Sequence, residues 1–420
     1  MAIKGGCAGA FFAAWLLIAS PTKADPQAAA TALFAAPTVA ERSAAVDELE
    51  NADPKDPVVP YALGATQFFQ ALEGLAMALN RHGFETPQSF ALPLLRLPVP
   101  PREEPEPLTY DGFRTMLVDF RDGMEAAAAT LDGVPADAEI GLVVDLDRHG
   151  IDLDGDGVIG PAESLAAIMA AMRGPGAELT SPPAGGLVFR FDRADGFWLQ
   201  AYANFLVAQA DFWLAHDFQA TFDGSFHMLF PRAGLPLQDA LVPPSDQLAS
   251  GMLMAEWRIA DLVSFIHLID WPVIEPERRQ TARLKLLEMI RLSRENWKAI
   301  LAETDNDREW LPGPQQPGIN PLTGLAVTDK EVAAWHEALQ MAEDLLEGRV
   351  LLLHFRIASK GINMKAFFDA PEPFDLVLSI TGPAIVPYLE NGTLLTSEEF
   401  ARIRSQFGGA GFLAFAIWFN

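Results

Sequence analysis

Apolar residues recur three and four positions apart over long stretches of this 420-residue chain, while two-residue alternation is confined to short ones. That balance predicts a mainly α fold, a multi-helical globular body with a few short strands. The clearest helical stretch runs from Pro60 to His82, where Tyr61, Phe68, Phe69, Leu72, Leu75 and Leu79 keep the helical period. Tyr110 to Leu131 predicts a second helix, stopped by Gly133 and Pro135. A third spans Phe197 to about His216 and carries Trp198, Tyr202, Phe205, Leu206, Phe212 and Trp213. Its Gln200, Asn204, Gln209 and Asp211 point to a core helix and away from a membrane span. Further helices are expected at Ser245 to Ile269, Pro276 to Glu303 and Thr328 to about Leu353, with weak periodicity from Asp25 to about Leu49.

Other stretches break the helical period. Leu92 to Pro107 holds six prolines with charged residues between them, which predicts an extended surface connector. Leu142, Val144 and Leu146 alternate as a strand or extended arm does, and Leu187 to Phe191 reads as a short strand. Asp192 with Asp195 forms a capping pair for the helix that follows. Phe374 to Ile380 has strand character, Asn391-Gly392 is a turn, and Thr396 with Glu399 is a capping box opening a final helix. The apolar run Phe412 to Phe419 is expected to pack against the body. Ser181 to Gly186 is the best boundary, dividing residues 25–180 from residues 187–420, two regions that can still form one continuous body. No fixed repeat period emerges, which excludes a solenoid.

Composition narrows the function classes. The first residues carry Lys4, an apolar run from Ala8 to Ala19 and then Thr22-Lys23-Ala24, the layout of an export signal cut after Ala24. The run is shorter than the roughly 20 residues of a spanning helix, so a periplasmic or secreted protein is expected. Cys7 is the only cysteine and would leave with the signal, so the mature chain has no disulfide, thiolate zinc site or cysteine nucleophile. The net charge of −26 becomes −28 without residues 1–24, with 28 basic against 56 acidic side chains. Such a surface repels nucleic acid and anionic lipid headgroups and attracts cations.

One stretch answers that attraction. Asp152-Leu153-Asp154-Gly155-Asp156-Gly157-Val158-Ile159-Gly160-Pro161-Ala162-Glu163 places carboxylates at positions one, three, five and twelve and a glycine at six. It resembles the calcium loop of the EF-hand family, and the resemblance covers the loop and the short helix expected from Glu163 to Met172, about twenty residues. The resemblance implies Ca2+ held by Asp152, Asp154 and Asp156 through side-chain oxygens, by Val158 through its carbonyl and by Glu163 in bidentate fashion, with Gly160 acting through water. Gly157 permits the sharp turn, and Ile159 is expected to bury its side chain beneath the loop. The family reaches its loop from a helix, whereas Ile140 to Leu153 reads as an arm, and no second loop is present. Both departures favour a structural site over a sensor. A register starting at Asp145, with Asp147, places Asp152 at the hydrophobic eighth position and is much poorer.

Other constellations are weaker. On a helix continuing through Gly224, His216, Asp223 and His227 would share one face and could form a transition-metal or acid/base site, against the commoner role of histidines at the edge of an aromatic core. Asp261, His267 and Asp270 form a similar cluster, and His354 with Arg356 follows an apolar run. His336-Glu337 opens like a zinc-protease motif, but Gln340 stands where the second histidine belongs. There is no glycine-flanked nucleophilic serine, phosphate loop or dinucleotide fingerprint. The expectation is an exported calcium-binding protein with a binding or scaffolding role; the alternative is an exported calcium-stabilised enzyme, most plausibly a hydrolase. A deep pocket near the loop with converging histidines would favour the alternative.

Overall fold

The computed structural model describes residues 25–86, 97–173, 186–238, 259–316 and 327–406. The expected export signal, most of the 181–186 boundary, residues 245–258 of one expected helix and the apolar run 412–419 lie outside them. The fold is mainly helical. The expected stretch 25–49 is two helices, α1 (Pro26–Ala35) and α2 (Val39–Glu50), because Pro37 interrupts it and Thr38 caps α2 by accepting the Glu41 N–H at 3.2 Å. α3 (Val58–Arg81) and α4 (Tyr110–Asp132) follow the periodicity and pack on one another. Their approach is close at Gly64, where a Cβ would come within 2.7 Å of Leu131 Cγ. Between them, residues 97–109 form neither helix nor strand, as the prolines require. Leu97, Val99 and Leu108 are nonetheless buried, so this connector is pinned to the body.

A two-stranded antiparallel sheet, β1 (Leu142–Asp145) with β2 (Val188–Phe191), follows the expected alternation, with Leu142 opposite Phe191 and Asp145 opposite Val188. α5 (Leu165–Arg173) lies between these strands in sequence. α6 (Arg193–Leu214) starts at the Asp192–Asp195 capping box and is buried on most of its surface between α4 and α9 (Pro276–Ile300). Gln200, Asn204 and Asp211 are buried too, and Gln200 and Asp211 bridge to neighbours. Gln200 donates to the Ala128 carbonyl at 3.2 Å, and Asp211 accepts from Arg121 at 3.3 Å and Arg278 at 2.7 Å. Arg114 of α4 donates to the carbonyls of Leu214 and His216, satisfying acceptors that the end of α6 leaves open.

The main core draws on both sides of the 181–186 segment, uniting Leu33, Phe68, Met124, Leu142, Val207 and Trp297. A second core is aromatic and packs Phe218, Phe222, Phe226 and Phe230 with Trp271. It is built by α7 (Gln219–Ser225), by the helical residues 259–268 of α8 and by β3 (Asp270–Trp271). Two expectations are corrected in the C-terminal part. α10 (Asp329–Leu346) stops short of Leu353: Gly348 takes φ +70°, and Leu351–His354 is strand β4, paired with β5 (Ile357–Ile362). The stretch 374–380 is strand only at β6 (Phe374–Asp375), which pairs with β3. Asp375 then accepts the Leu378 N–H at 2.7 Å and caps α12 (Leu376–Thr381). α11 (Met364–Asp369) lies between β5 and β6. β7 (Leu389–Glu390) and β8 (Leu394–Leu395) complete a sheet of order β7-β5-β4-β8, and α13 (Ser397–Gln406) opens at the expected Thr396–Glu399 box. Among the described residues no helix is long and apolar enough to cross a membrane.

Candidate metal centre

The acidic loop follows β1 after a turn at residues 146–148 and ends in a short turn of 3₁₀ helix, Pro161–Glu163, that leads into α5. The approach is therefore a strand and a turn, as the alternation implied, and the exit is helical. Gly150 opposite Ser164 joins the two ends, with the Ile151 N–H donating to the Glu163 carbonyl at 3.1 Å and the Leu165 N–H to the His149 carbonyl at 2.8 Å. Gly155 at φ +79° and Gly157 at φ +85° supply the two left-handed steps that fold the loop back on itself.

Those steps turn the carboxylates toward one another. Asp152, Asp154 and Asp156 each offer an oxygen, and these oxygens all lie within 4.8 Å of one another. Backbone N–H groups hold each one in place. Asp152 accepts from Gly155 at 2.6 Å and Gly157 at 2.9 Å, Asp154 from Asp156 at 3.1 Å, and Asp156 from Val158 at 2.7 Å. Glu163 stands outside that trio; its two oxygens accept from Leu153 and Gly160, both at 2.7 Å. Burial pushes the Glu163 carboxyl up from its ordinary range. Each carboxylate oxygen keeps a second lone pair, so these bonds orient the donors without exhausting them. The donor set is all hard oxygen and highly anionic, which fits a hard divalent cation and not a thiophilic one. Val158 exposes its side chain, and Ile159 is only half-buried, against the expectation that it would tuck beneath the loop. The reason is that Ile159 lies at an edge where the chain pairs with residues 37–39 and is not covered by a second loop.

Behind the loop is a buried charge pair that no spacing announced. Arg42 of α2 donates to both oxygens of Glu73 of α3 at 2.6 Å, and Glu73 in turn accepts the backbone N–H of Asp152 at 2.8 Å. His149 lies beside it between the ring edges of Phe34 and Phe69, each at 4.9 Å. Burial pushes this imidazole down to about 3, with the Arg42 charge adding to the effect, so it is neutral at ordinary pH.

The histidine constellations are not brought together. α6 ends at Leu214 and α7 begins at Gln219, so His216, Asp223 and His227 do not share a helical face. His216 is fully buried, its Nδ1 2.6 Å from the Phe212 carbonyl oxygen, and burial lowers it to about 4. His227 faces Asp261, with Nε2 3.9 Å from Oδ1, while His267 and Asp270 are exposed. His354 accompanies the Ile380 carbonyl at 2.9 Å, and Arg356 donates to the Thr381 carbonyl at 2.6 Å. Both fasten the end of α12 to the β4–β5 turn.

A second acidic group escaped the sequence altogether. Asp192, Glu303 and Glu309 bring carboxylate oxygens within 4.8 Å of one another. Burial and the neighbouring Asp192 push Glu303 up to about 8 and Glu309 up to about 7. Asp192 and Glu303 share a hydrogen bond, and backbone N–H groups also hold this group, Ala194 donating to Asp192 at 2.8 Å and Asp307 to Glu309 at 3.2 Å. Its members come from a helix cap and a distant loop, which leaves no local pattern to find. Between α3 and α4 runs an open cleft of about 580 Å³ edged by Gln67, Gln70, Arg81, His82, Thr115 and Asp119, to which the acidic loop contributes nothing. Comparison with known proteins finds no matching family model, no matching curated protein and no matching solved structure.

Proposed function

We propose that residues 152–163 bind one calcium ion and that the chain is an exported, calcium-stabilised protein of the periplasm or extracellular medium with a binding or scaffolding role. The observation that carries this reading is the convergence of the Asp152, Asp154 and Asp156 oxygens within 4.8 Å, in a loop whose order of residues is that of the EF-hand loop. Three carboxylates so close repel one another, and a divalent cation removes that repulsion. On this reading Asp152, Asp154 and Asp156 supply side-chain oxygens, Val158 its carbonyl, Glu163 both carboxylate oxygens and Gly160 a water, seven donors where magnesium's octahedron accommodates six. When bound, the ion supplies neutralising charge and a cross-link between the two ends of the loop. It performs no chemistry on a substrate.

The strand-led approach supports a staple in preference to a switch, because a sensor works by opening one helix against another and here one of the two is missing. Isolated extracellular sites of this kind bind at roughly 10⁻⁴ to 10⁻³ M. At calcium well above that range the ion adds on the order of 1 to 3 kcal/mol to stability. Isothermal calorimetry with CaCl₂, paired with thermal melts in calcium and in chelator, checks the reading. Binding heat with one-site stoichiometry and a lower melting temperature in chelator are expected, both abolished in Glu163→Gln. Absence of heat in the unaltered protein overturns the proposal.

A further inference from the structure

The loop's outer edge is occupied, and its occupant comes from the N-terminal helices. The Ile159 N–H donates to the Pro37 carbonyl at 3.0 Å, the Val39 N–H donates to the Gly157 carbonyl at 3.2 Å, and Thr38 and Val158 stand opposite each other as an antiparallel bridge. Pro37 to Val39 is the joint between α1 and α2, so this short pairing grips the helical pair at its elbow. The loop's inner side grips the same pair a second time. Asp152, first of the ligand residues, gives its N–H to Glu73, and Glu73 holds Arg42 of α2. Arg42 is 3 % exposed and Glu73 7 %, so the tie runs through a dry interior where it is hard to replace by water.

The rest of α2 holds on weakly. Its buried residues are Arg42, Ala45 and Leu49, one charge, one methyl and one leucine. α1 contributes Ala29, Ala30, Leu33 and Phe34 to the main core, and Phe34 sets its ring edge against His149 three residues before the loop. Both attachments of the elbow, outer and inner, therefore pass through backbone atoms of residues 152–159, the segment that carries the three converging carboxylates.

We infer that cation occupancy of residues 152–163 latches the helical pair 26–50 onto the body, and that loss of the cation frees this pair while the α4–α6–α9 layer stays folded. The inference rests on the calcium reading above. Opening of the loop withdraws the Gly157 carbonyl and the Ile159 N–H from the elbow and moves the Asp152 N–H off Glu73. The reverse follows by linkage: anything that loosens the elbow lowers the loop's affinity for the cation by the same factor.

Hydrogen–deuterium exchange on the full chain, in CaCl₂ and in chelator, reads this directly, with calorimetry run on the same samples. The expected result is exchange of residues 26–50 faster by about fivefold or more in chelator, a coupling of ordinary size, with residues 193–214 unchanged. Val39→Pro isolates the latch. Val39 is the first residue of α2 and Thr38 before it is extended (φ −137°, ψ 153°), so proline fits there and removes only the N–H that reaches Gly157. In saturating calcium, Val39→Pro should exchange faster over 26–50 and bind calcium several-fold more weakly, whereas Val39→Ala, which keeps the N–H, should do neither. Binding heat without any change in exchange of 26–50 overturns the latch and leaves the calcium reading standing. No binding heat overturns both. A Val39→Pro protein identical to the unaltered one in exchange and affinity overturns the latch alone.

Discussion

Gly150 shows how tightly the loop is closed at the level of single atoms. A Cβ there would collide with the Glu163 carbonyl oxygen and come within 2.6 Å of Ile159 Cγ2. Backbone cannot yield as a flexible side chain does, so Gly150→Ala is expected to cost about 1 to 3 kcal/mol, as overpacking of an interior does. Urea denaturation of the two proteins in chelator, where ion binding contributes nothing, measures it. The residues that were legible from sequence alone are those whose geometry is local: Asp152, Asp154 and Asp156 lie two residues apart and each is held by an N–H within five residues of itself. Glu73, which supports the loop from behind, and the Asp192–Glu303–Glu309 group lie far apart along the chain from their partners. Nothing in the spacing of acids along a chain says which of them the fold will bring face to face.

At the scale of elements, the long helices were legible because their apolar faces repeat over several turns, and α3, α4 and α6 begin or end within a few residues of where the pattern placed them. Short apolar runs were not. Val350 to Leu353 fits a last helical turn as well as a strand, and what decided it was Gly348, which turns the chain so that β4 can pair with β5. In Phe374 to Ile380 the deciding residue was Asp375, whose capping bond starts a helix in a sequence rich in strand-formers. α3 itself retains one removable weakness. Gly74 is exposed in the middle of the helix, and a Cβ there would meet nothing within 4 Å. Gly74→Ala is expected to raise stability by about 0.5 to 1 kcal/mol, the ordinary helix penalty of glycine, seen as a higher urea midpoint with an unchanged slope.

For the whole molecule, half-buried acids and buried histidines give the pH dependence of stability two parts with opposite signs. Glu303 and Glu309, raised to about 8 and about 7, keep protons that the unfolded chain, with carboxyls near 4.3, has already lost. Their contribution is complete below the unfolded value and disappears as pH rises through 7 to 8. His149 and His216, lowered to about 3 and about 4, contribute stability above the unfolded value near 6.5 and lose it as pH falls toward those values. Between about pH 7.5 and 9 the histidines are neutral in both states and only the acids change, so the melting temperature in chelator should fall across that window, and Glu303→Gln should flatten the fall. An unchanged slope in Glu303→Gln would show that other acids, among the 56 in the sequence, set the alkaline limb.

The pairing of Thr38 with Val158 also has a kinetic side. The two residues are 120 positions apart in sequence, and contacts of that separation close a long loop before they return any stabilisation. The elbow is therefore expected to dock after the helical layer has condensed, late on the folding path and beyond its rate-limiting step. Stabilisation added after that step changes the rate of leaving the native state and not the rate of reaching it. In stopped-flow measurements over a range of urea concentrations, saturating calcium should slow the unfolding arm and leave the refolding arm where it was. The cation would then set how long the molecule persists once folded, with no part in how quickly it gets there.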